Sequence, residues 1–273
     1  MEVKFAKMNP TQNMTILVES PVPRSRHRQT ARGLMDYGGV YAEQVGFIED
    51  ASDPTAWARL QMMGGEFCGN ALMSLAALLA LDRNLPQKIN ADIPLESSGA
   101  QGLVKVSVMP GAAGIKCSLE LPPPRSVSRA FLKAGNRRLN PTVVDLDGIT
   151  HFVLPADQAK GWEAARAEET LRRWAEECPS EAAGLILFDA DDCSIKPLVL
   201  VKTTGSLVWE RGCGSGTAAV GAMLAEEARK TVKVKVAQPG GVITVRADYA
   251  DGRVSRVVIG GQVKLAARGL AYL

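Results

Sequence analysis

The sequence predicts a mixed α/β (α+β) protein of two similar domains, each a small barrel of strands around one central helix. Short segments rich in β-branched residues recur along the whole chain, and Gly or Pro bounds several of them. A Cys-Gly pair precedes an alanine-rich helical segment once in each half. The order of the segments around that helix repeats as well, which indicates a duplicated domain.

Strand-like segments outnumber helical ones. Two helices are predicted away from the cysteines, at 28–37 and at 158–177, and the second is long, charged and amphipathic, so we expect it on a surface. The predicted strands are 14–20, 41–50, 102–110, 115–122, 150–155, 184–190, 195–204, 232–239, 241–248 and 253–261.

The two central helices are predicted to begin at Cys68 and Cys213. CGNALMSLAALLA (68–80) and CGSGTAAVGAMLA (213–225) share the Cys, the following Gly, one Ala, one Leu and the last Ala. The first segment is apolar nearly all round, so it must be buried on every side, and wrapping strands around it achieves this.

A proline run separates the halves. LPPPRS at 121–126 is the natural linker, because proline runs punctuate domains. We therefore expect an N-terminal domain of residues 1–122, to which a strand at 263–273 returns, and a C-terminal domain of residues 123–262.

The bulk composition excludes several classes of protein. A net charge of +3, from 32 basic and 29 acidic residues, is too balanced for a nucleic-acid binder. We expect no membrane span and no signal peptide, and hence a cytoplasmic protein. Five cysteines without a CxxC motif, and only two histidines, favour neither a disulfide framework nor a metal site.

The position of Cys68 and Cys213 suggests acid–base chemistry. A helix N-terminus stabilises a thiolate, so we expect the pKa of both thiols to be lowered. The first free N–H groups of each helix also form an anion site suited to a substrate carboxylate. These N–H groups belong to Gly69, Asn70, Gly214 and Ser215.

Two thiols on either side of one bound carboxylate favour a reaction that inverts the α-carbon of an amino acid. One thiolate would remove the α-proton and the other thiol would protonate the opposite face, with no metal and no organic cofactor. The developing carbanion would be stabilised by the two helix N-termini. Cys117, Cys178 and Cys193 lack this context and are interpreted as structural.

Several motifs together resemble one enzyme family. EFCGN, ERGCGSGT, NMTILV, EQVGF and QPGG are similar to segments of the diaminopimelate epimerase-like, cofactor-independent amino-acid racemases, and the resemblance covers essentially the whole chain. It implies two mirror-related barrel domains with the active site in the cleft between them. It also implies that Cys68 and Cys213 are the acid and base.

The same resemblance implies substrate contacts. Asn13, Gln44 and Glu210 match family residues, and Glu210 would contact the substrate amino group. The family's GNPH segment reads GITH (148–151) here, other substrate asparagines are missing, and the loop after Arg211 is shorter. A site without those partners should reject a long zwitterionic side chain, at about 1–3 kcal/mol for each unpaired group.

A closer resemblance is to the branch of this fold that racemises histidine. NMTILV, EQVGFIE, the short ExxCGSGT loop and QPGG are similar to that branch, which supplies D-histidine for nicotianamine-like metallophores. It implies that Glu43 lies near the substrate, where a carboxylate suits an imidazole N–H. The expected partner is a small-molecule amino-acid substrate, and a homodimer is the expectation if the chain self-associates. The alternative is a diaminopimelate epimerase or another amino-acid racemase or isomerase of the same fold.

Other classes explain less of the sequence. A cysteine hydrolase would pair one Cys with His151, but the second Cys-Gly helix would then have no role. GCGSGT (212–217) departs from the dinucleotide-binding pattern at Thr217. A protein that binds a carboxylate without turning it over is a further alternative. We interpret His151 as structural and leave Glu66, two residues before Cys68, unassigned.

Overall fold

The computed structural model describes residues 1–202 and 205–273. They form a mixed α and β protein that is mostly sheet, with four α-helices in the described residues. Two compact units are present: unit 1 is Met1–Glu120 with Gly260–Leu273, and unit 2 is Leu121–Ile259. Among the described helices, none is long and apolar enough to cross a membrane.

Unit 1 contains seven strands in sequence and two helices. Its elements are β1 (Glu2–Pro10), β2 (Thr15–Val18), α1 (His27–Met35), β3 (Gln44–Glu49), β4 (Arg59–Met62), α2 (Gly69–Asp82), β5 (Ala91–Ser97), β6 (Val104–Gly111) and β7 (Gly114–Leu121). The strands pair in this order, and the last strand of the chain, β18 (Arg253–Tyr272), pairs with both β7 and β1. The strand order of unit 1 therefore closes on itself.

The helix that follows Cys68 lies inside this set of strands. Ten side chains of α2 are buried, from Asn70 to Ala80, and the helix contacts β1, β2, β4, β5 and β6. Strands therefore lie on several sides of this apolar helix. On the outer side, Leu34 of α1 packs in a second cluster with Val45 and Phe47 of β3.

Unit 2 repeats this plan with additional short strands. Its elements are β8 (Ser126–Arg129), β9 (Leu132–Ala134), β10 (Arg137–Leu139), β11 (Thr142–Leu146), β12 (Ile149–Pro155), α3 (Ala164–Glu176), β13 (Ala182–Asp189), β14 (Ser194–Val201), β15 (Ser206–Trp209), α4 (Gly214–Ala228), β16 (Val232–Gln238), β17 (Gly241–Ala250) and the first part of β18. α4 contacts β8, β11, β12, β13, β16 and β17. Trp174 of α3 packs outside, against Phe152 of β12.

The strand pairing follows the same plan in both units. In unit 1, the pairs β2–β3 and β4–β5 are parallel, and each is connected through a helix, first α1 and then α2. In unit 2, the pairs β12–β13 and β14–β16 are parallel, connected through α3 and α4. The intervening pairs β3–β4 and β13–β14 are antiparallel. One supersecondary plan therefore occurs twice.

Several predicted elements differ from the structure in their bounds; for example, the strands expected at 253–261 and 263–273 form one strand, β18. The helix predicted at 158–177 begins only at Ala164, because a short 3-10 turn ends before Gly161, whose φ of +79° breaks a right-handed helix. The strand predicted at 195–204 is observed as far as Val201, and its last two residues, 203 and 204, lie outside the described residues.

Candidate active site

Two cysteine side chains cap the two buried helices. Cys68 precedes α2, and its Sγ accepts the backbone N–H of Ala71 at 3.4 Å. Cys213 precedes α4, and its Sγ accepts the backbone N–H of Gly216 at 3.2 Å. Both residues have extended backbones, as an N-cap requires, and this position usually holds Ser, Thr, Asp or Asn. Cysteine therefore stands at both helix N-caps in place of the residues that usually occupy this position.

Cys68 is hydrogen-bonded to a neutral amide. Its thiol donates to Oε1 of Gln44 at 3.0 Å, and Nε2 of Gln44 donates to Oγ1 of Thr15 at 2.8 Å and to Oδ1 of Asn13. Nδ2 of Asn13 donates to Oε2 of Glu43 at 2.9 Å. Three predicted site residues are therefore connected to Cys68 through side-chain hydrogen bonds.

Cys213 lies beside a carboxylate. Burial raises the pKa of Glu210 to about 7, and a hydrogen bond from Cys213 opposes part of that rise. Burial and the negative charge of Glu210 raise the pKa of Cys213 well above its usual value, although the Gly216 N–H acts in the opposite direction. The expectation that the helix N-terminus lowers the pKa is therefore wrong for Cys213, because desolvation and the neighbouring charge outweigh it.

The backbone of Cys213 is held by two polar side chains that the sequence analysis did not assign. Oε1 of Gln238 accepts the Cys213 N–H at 2.6 Å, and its Nε2 donates to Oγ1 of Thr217 at 2.7 Å. The Thr217 hydroxyl donates to the Cys213 carbonyl at 2.7 Å. Thr217 is fully buried and Gln238 nearly so, which makes this loop of bonds a rigid support.

Within the described residues, neither histidine forms a hydrogen bond with these thiols. His27 stacks on Phe47, and its Nε2 contacts the Val22 carbonyl at 2.9 Å. His151 is fully buried, and within the described residues neither of its ring nitrogens has a hydrogen-bond partner. Burial lowers its pKa to about 3. No Cys–His pair of the kind that a thiol hydrolase needs is therefore formed in the described part of the chain.

Comparison with known proteins decides the family. A family model described as the histidine racemase CntK N-terminal domain matches residues 2–272. The histidine racemase of Fusobacterium nucleatum subsp. nucleatum is 31% identical over 271 residues, which cover 98% of this chain and 96% of that protein. This chain belongs to the histidine racemase family.

A second relative gives the same result. The histidine racemase of Staphylococcus aureus (strain Mu50) is 31% identical over 276 residues, which cover 99% of this chain and 98% of that protein. Membership of the histidine racemase family makes the chain an isomerase of the amino-acid racemase class. The predicted resemblance to racemases of this kind is confirmed.

Several solved structures have a fold similar to that of this chain. A hydroxyproline epimerase from Agrobacterium vitis, with bound trans-4-hydroxy-L-proline, has a TM-score of 0.72 at 14% identity and covers 100% of this chain and 93% of that chain. A phenazine biosynthesis PhzF family protein from Enterococcus faecalis has a TM-score of 0.64 at 15% identity, covering 100% of both chains. At these identities the likeness shows the fold.

The predicted site residues of this family member lie in both units. The Arg211 guanidinium contacts the backbone, because its Nη2 donates a hydrogen bond to the Pro239 carbonyl at 3.3 Å. Asn70 is buried in the first turn of α2, and its carbonyl accepts the Ser74 hydroxyl at 2.8 Å. Unit 1 holds Asn13, Glu43, Gln44, Cys68, Gly69 and Asn70, and unit 2 holds Glu210, Arg211, Cys213, Gly214 and Ser215.

Sequence reasoning missed Thr15, Thr217 and Gln238. Gln238 stands in QPGG and Thr217 in GCGSGT, two motifs that the sequence analysis quoted without giving these two residues a role at the site. The role of Thr217 could have been predicted from its spacing. It follows Cys213 by four residues, and a threonine hydroxyl in a helix can donate to the backbone carbonyl four residues earlier. Gln238 reaches Cys213 only through the fold, so its role was not readable from spacing.

Proposed function

We propose that the chain interconverts L- and D-histidine by a two-base mechanism, with Cys68 and Cys213 as the acid and base. The observation that carries this proposal is the matched pair of cysteine N-caps, one in each unit of a histidine racemase family member. Inversion at an α-carbon needs one group to remove a proton and another to return one on the opposite face. Cysteine supplies both roles without a cofactor.

Glu210 would prepare Cys213 for its role. We propose that the substrate ammonium group binds the Glu210 carboxylate and neutralises the charge that raises the pKa of Cys213. Cys213 then loses its proton to solvent water, and the thiolate removes the α-proton. The N–H groups at the start of α2 and α4 hold the substrate carboxylate, where negative charge develops in the transition state.

The side-chain specificity would come from unit 1. Glu43 is the charged member of the group formed with Asn13 and Gln44, and a carboxylate accepts an imidazole N–H. This group supports histidine as the substrate, since the family's partners for a long zwitterionic side chain are absent at Ile149. We propose that D-histidine made here serves a nicotianamine-like metallophore.

We propose that each unit is a barrel wrapped around its central helix, as in the diaminopimelate epimerases. The closed strand order of unit 1 and the strands that contact α2 support this description.

The function is tested by exchange of the α-proton in D₂O, followed by proton NMR with a reductant and no added cofactor. We expect the α-proton signal of L-histidine to disappear, and chiral chromatography to detect D-histidine. Exchange on diaminopimelate but not on histidine would reject the substrate assignment while keeping the racemase class. Lack of exchange on histidine, diaminopimelate, proline and the other amino acids tested would reject the proposed reaction.

A further inference from the structure

Three side-chain hydrogen bonds connect Cys68 to Glu43, and these three run in one direction. The thiol donates to the Gln44 carbonyl oxygen, the Gln44 amide donates to Asn13, and the Asn13 amide donates to Glu43. Each group donates a hydrogen bond to the next, and the series ends at a carboxylate. An ionised carboxylate can only accept hydrogen bonds and cannot donate them. We call Cys68, Gln44, Asn13 and Glu43 the amide chain.

The carboxylate determines that direction. Asn13 must turn its NH₂ group towards Glu43, which leaves its oxygen for the NH₂ group of Gln44. Gln44 must then present its own oxygen to Cys68. A carbonyl oxygen accepts a hydrogen bond from a thiol, but it repels a thiolate. Asn13 is only 2% exposed, so the environment offers its amide few alternative partners.

Thr15 reinforces the same orientation. The Thr15 hydroxyl donates to the backbone carbonyl of Asn13 at 3.1 Å. The hydroxyl oxygen is therefore left to accept Nε2 of Gln44 at 2.8 Å. A hydroxyl can rotate to become a donor, whereas an ionised carboxylate cannot. Glu43 is therefore the member that prevents the amide chain from reversing.

We propose that Glu43 is a positioning residue that keeps Cys68 in its protonated thiol form through Asn13 and Gln44, so that Cys68 is the acid of the pair. The inference rests on the proposed function and deepens it. In a turnover that starts from this state, Cys213 takes the α-proton and Cys68 gives its own proton to the α-carbon. A substrate N–H that occupies Glu43 would release Asn13, and Gln44 could then turn its NH₂ group towards the Cys68 thiolate.

Two other ionisable side chains belong to the neighbouring segments. Glu66, two residues before Cys68, folds over Gly64 and accepts the backbone N–H groups of Gly64 and of itself. Lys7 of β1 donates through Nζ to the Val40 carbonyl at 3.0 Å. Neither contact belongs to the amide chain. Glu66→Gln therefore removes a nearby negative charge without breaking the chain, which makes it a matched control for Glu43→Gln.

The test measures the reactivity of Cys68 in the full-length protein. Iodoacetamide alkylation is followed by mass spectrometry on the peptide that carries Cys68, across about pH 6 to 9. We expect Glu43→Gln to raise the alkylation rate at pH 7 by about 3- to 10-fold and to shift its pH profile to lower pH, because the chain can reverse and stabilise the thiolate. Glu43→Asp, which keeps a carboxylate, should stay near the parent rate, and Glu66→Gln should change it less than about twofold.

Two results would overturn the proposal. One is an unchanged Cys68 profile in folded Glu43→Gln, with folding checked by circular dichroism. The other is a rate increase that persists in the Gln44→Leu background, because a through-space charge effect survives there and a relayed one does not. Alkylation needs no turnover, so a failure of α-proton exchange on histidine would reject the proposed substrate independently of this result.

Discussion

At the residue scale, the two cysteines share a position but differ in their environment. Cys68 donates to the neutral amide of Gln44, whereas Cys213 lies beside the carboxylate of Glu210. Serine would cap both helices at least as well. Helix capping alone therefore does not account for sulfur at both N-caps, whereas the proposed acid–base roles would account for it.

This comparison predicts how serine variants separate capping from catalysis. Cys68→Ser and Cys213→Ser should each lower the interconversion of L- and D-histidine by about 10²- to 10⁴-fold, because inversion needs an acid–base group on each face. Both should keep the thermal midpoint of the parent within a few degrees, since serine is a good N-cap. Cys193→Ser, at a turn outside both groups of site residues, is the matched control and should keep its activity. Full interconversion of L- and D-histidine by either site variant, measured by chiral chromatography, would contradict the two-base mechanism.

Glu210 should control the reactivity of Cys213. Its negative charge raises the pKa of Cys213, so Glu210→Gln is expected to lower that pKa and to speed alkylation of the Cys213 peptide at pH 8 by about 3- to 10-fold. Racemisation should nevertheless fall, because the proposed partner of the substrate ammonium is lost. Alkylation of the Cys68 peptide serves as the internal control. Slower alkylation of Cys213 in a folded variant would show that the carboxylate acts as its base instead.

At the element scale, the helices that follow the cysteines were predictable and the surrounding strands were only partly so. The Cys-Gly pairs locate the starts of α2 and α4 to the residue, because an N-cap followed by an apolar run is a local signal. β5 was missed because Pro94 interrupts it and proline disfavours a central strand. The structure accommodates Pro94 because the pairing of β5 with β4 involves only Glu96 and Ser97.

The packing of α4 gives a prediction about one glycine. A Cβ atom on Gly221 would lie 2.4 Å from Cγ2 of Val245 on β17, so helix and strand approach more closely than an alanine allows. Gly221→Ala should lower the free energy of unfolding by about 1–3 kcal/mol in urea denaturation. Adding Val245→Ala should recover part of that loss. If the double variant is as unstable as the sum of both single changes, the close contact is not the cause.

The support of Cys213 gives a second prediction at this scale. Gln238→Leu would leave the Cys213 N–H and the Thr217 hydroxyl without the partner that joins them, at a cost of about 1–3 kcal/mol in the free energy of unfolding. Racemisation should fall further than this loss of stability explains, because the N-cap geometry of α4 loosens. Gln101→Leu, at an exposed position in a turn, is the control. Unchanged activity and stability in Gln238→Leu would show that this support is dispensable.

At the scale of the whole molecule, the duplication was readable but the difference between its two halves was not. The repeated segment order and the Cys-Gly helices predict two units of one plan, and the parallel pairs β2–β3 and β12–β13 occupy equivalent places in the two units. The thiol environments depend on side chains distant in sequence, such as Gln44 for Cys68 and Gln238 for Cys213. Sequence spacing does not report contacts of this kind, because only the fold brings their strands to the helix N-termini.

The stability of the molecule should depend on pH through His151. This side chain lies on β12 opposite Gly184, where a Cβ atom would come within 2.2 Å of the imidazole Nδ1, so the glycine makes room for the ring. Burial lowers the pKa of His151 from its usual 6.5 to about 3. Between these values the unfolded chain binds the proton and the folded chain does not, so stability falls as the pH falls below about 6.5.

The size of this effect can be isolated by one substitution. The loss attributable to His151 should approach about 1.4 kcal/mol for each pH unit below 6.5, in the free energy of unfolding measured by urea denaturation. His151→Leu should flatten that part of the curve, and it should cost little at pH 7.5, because within the described residues the ring nitrogens form no hydrogen bond that the change would break. The carboxylates of the chain titrate in both proteins, so the difference between the two curves reports His151 alone. Parallel curves from pH 7.5 to 5 would mean that the folded protein accepts the proton, and hence that the imidazole reaches solvent through an opening of β12.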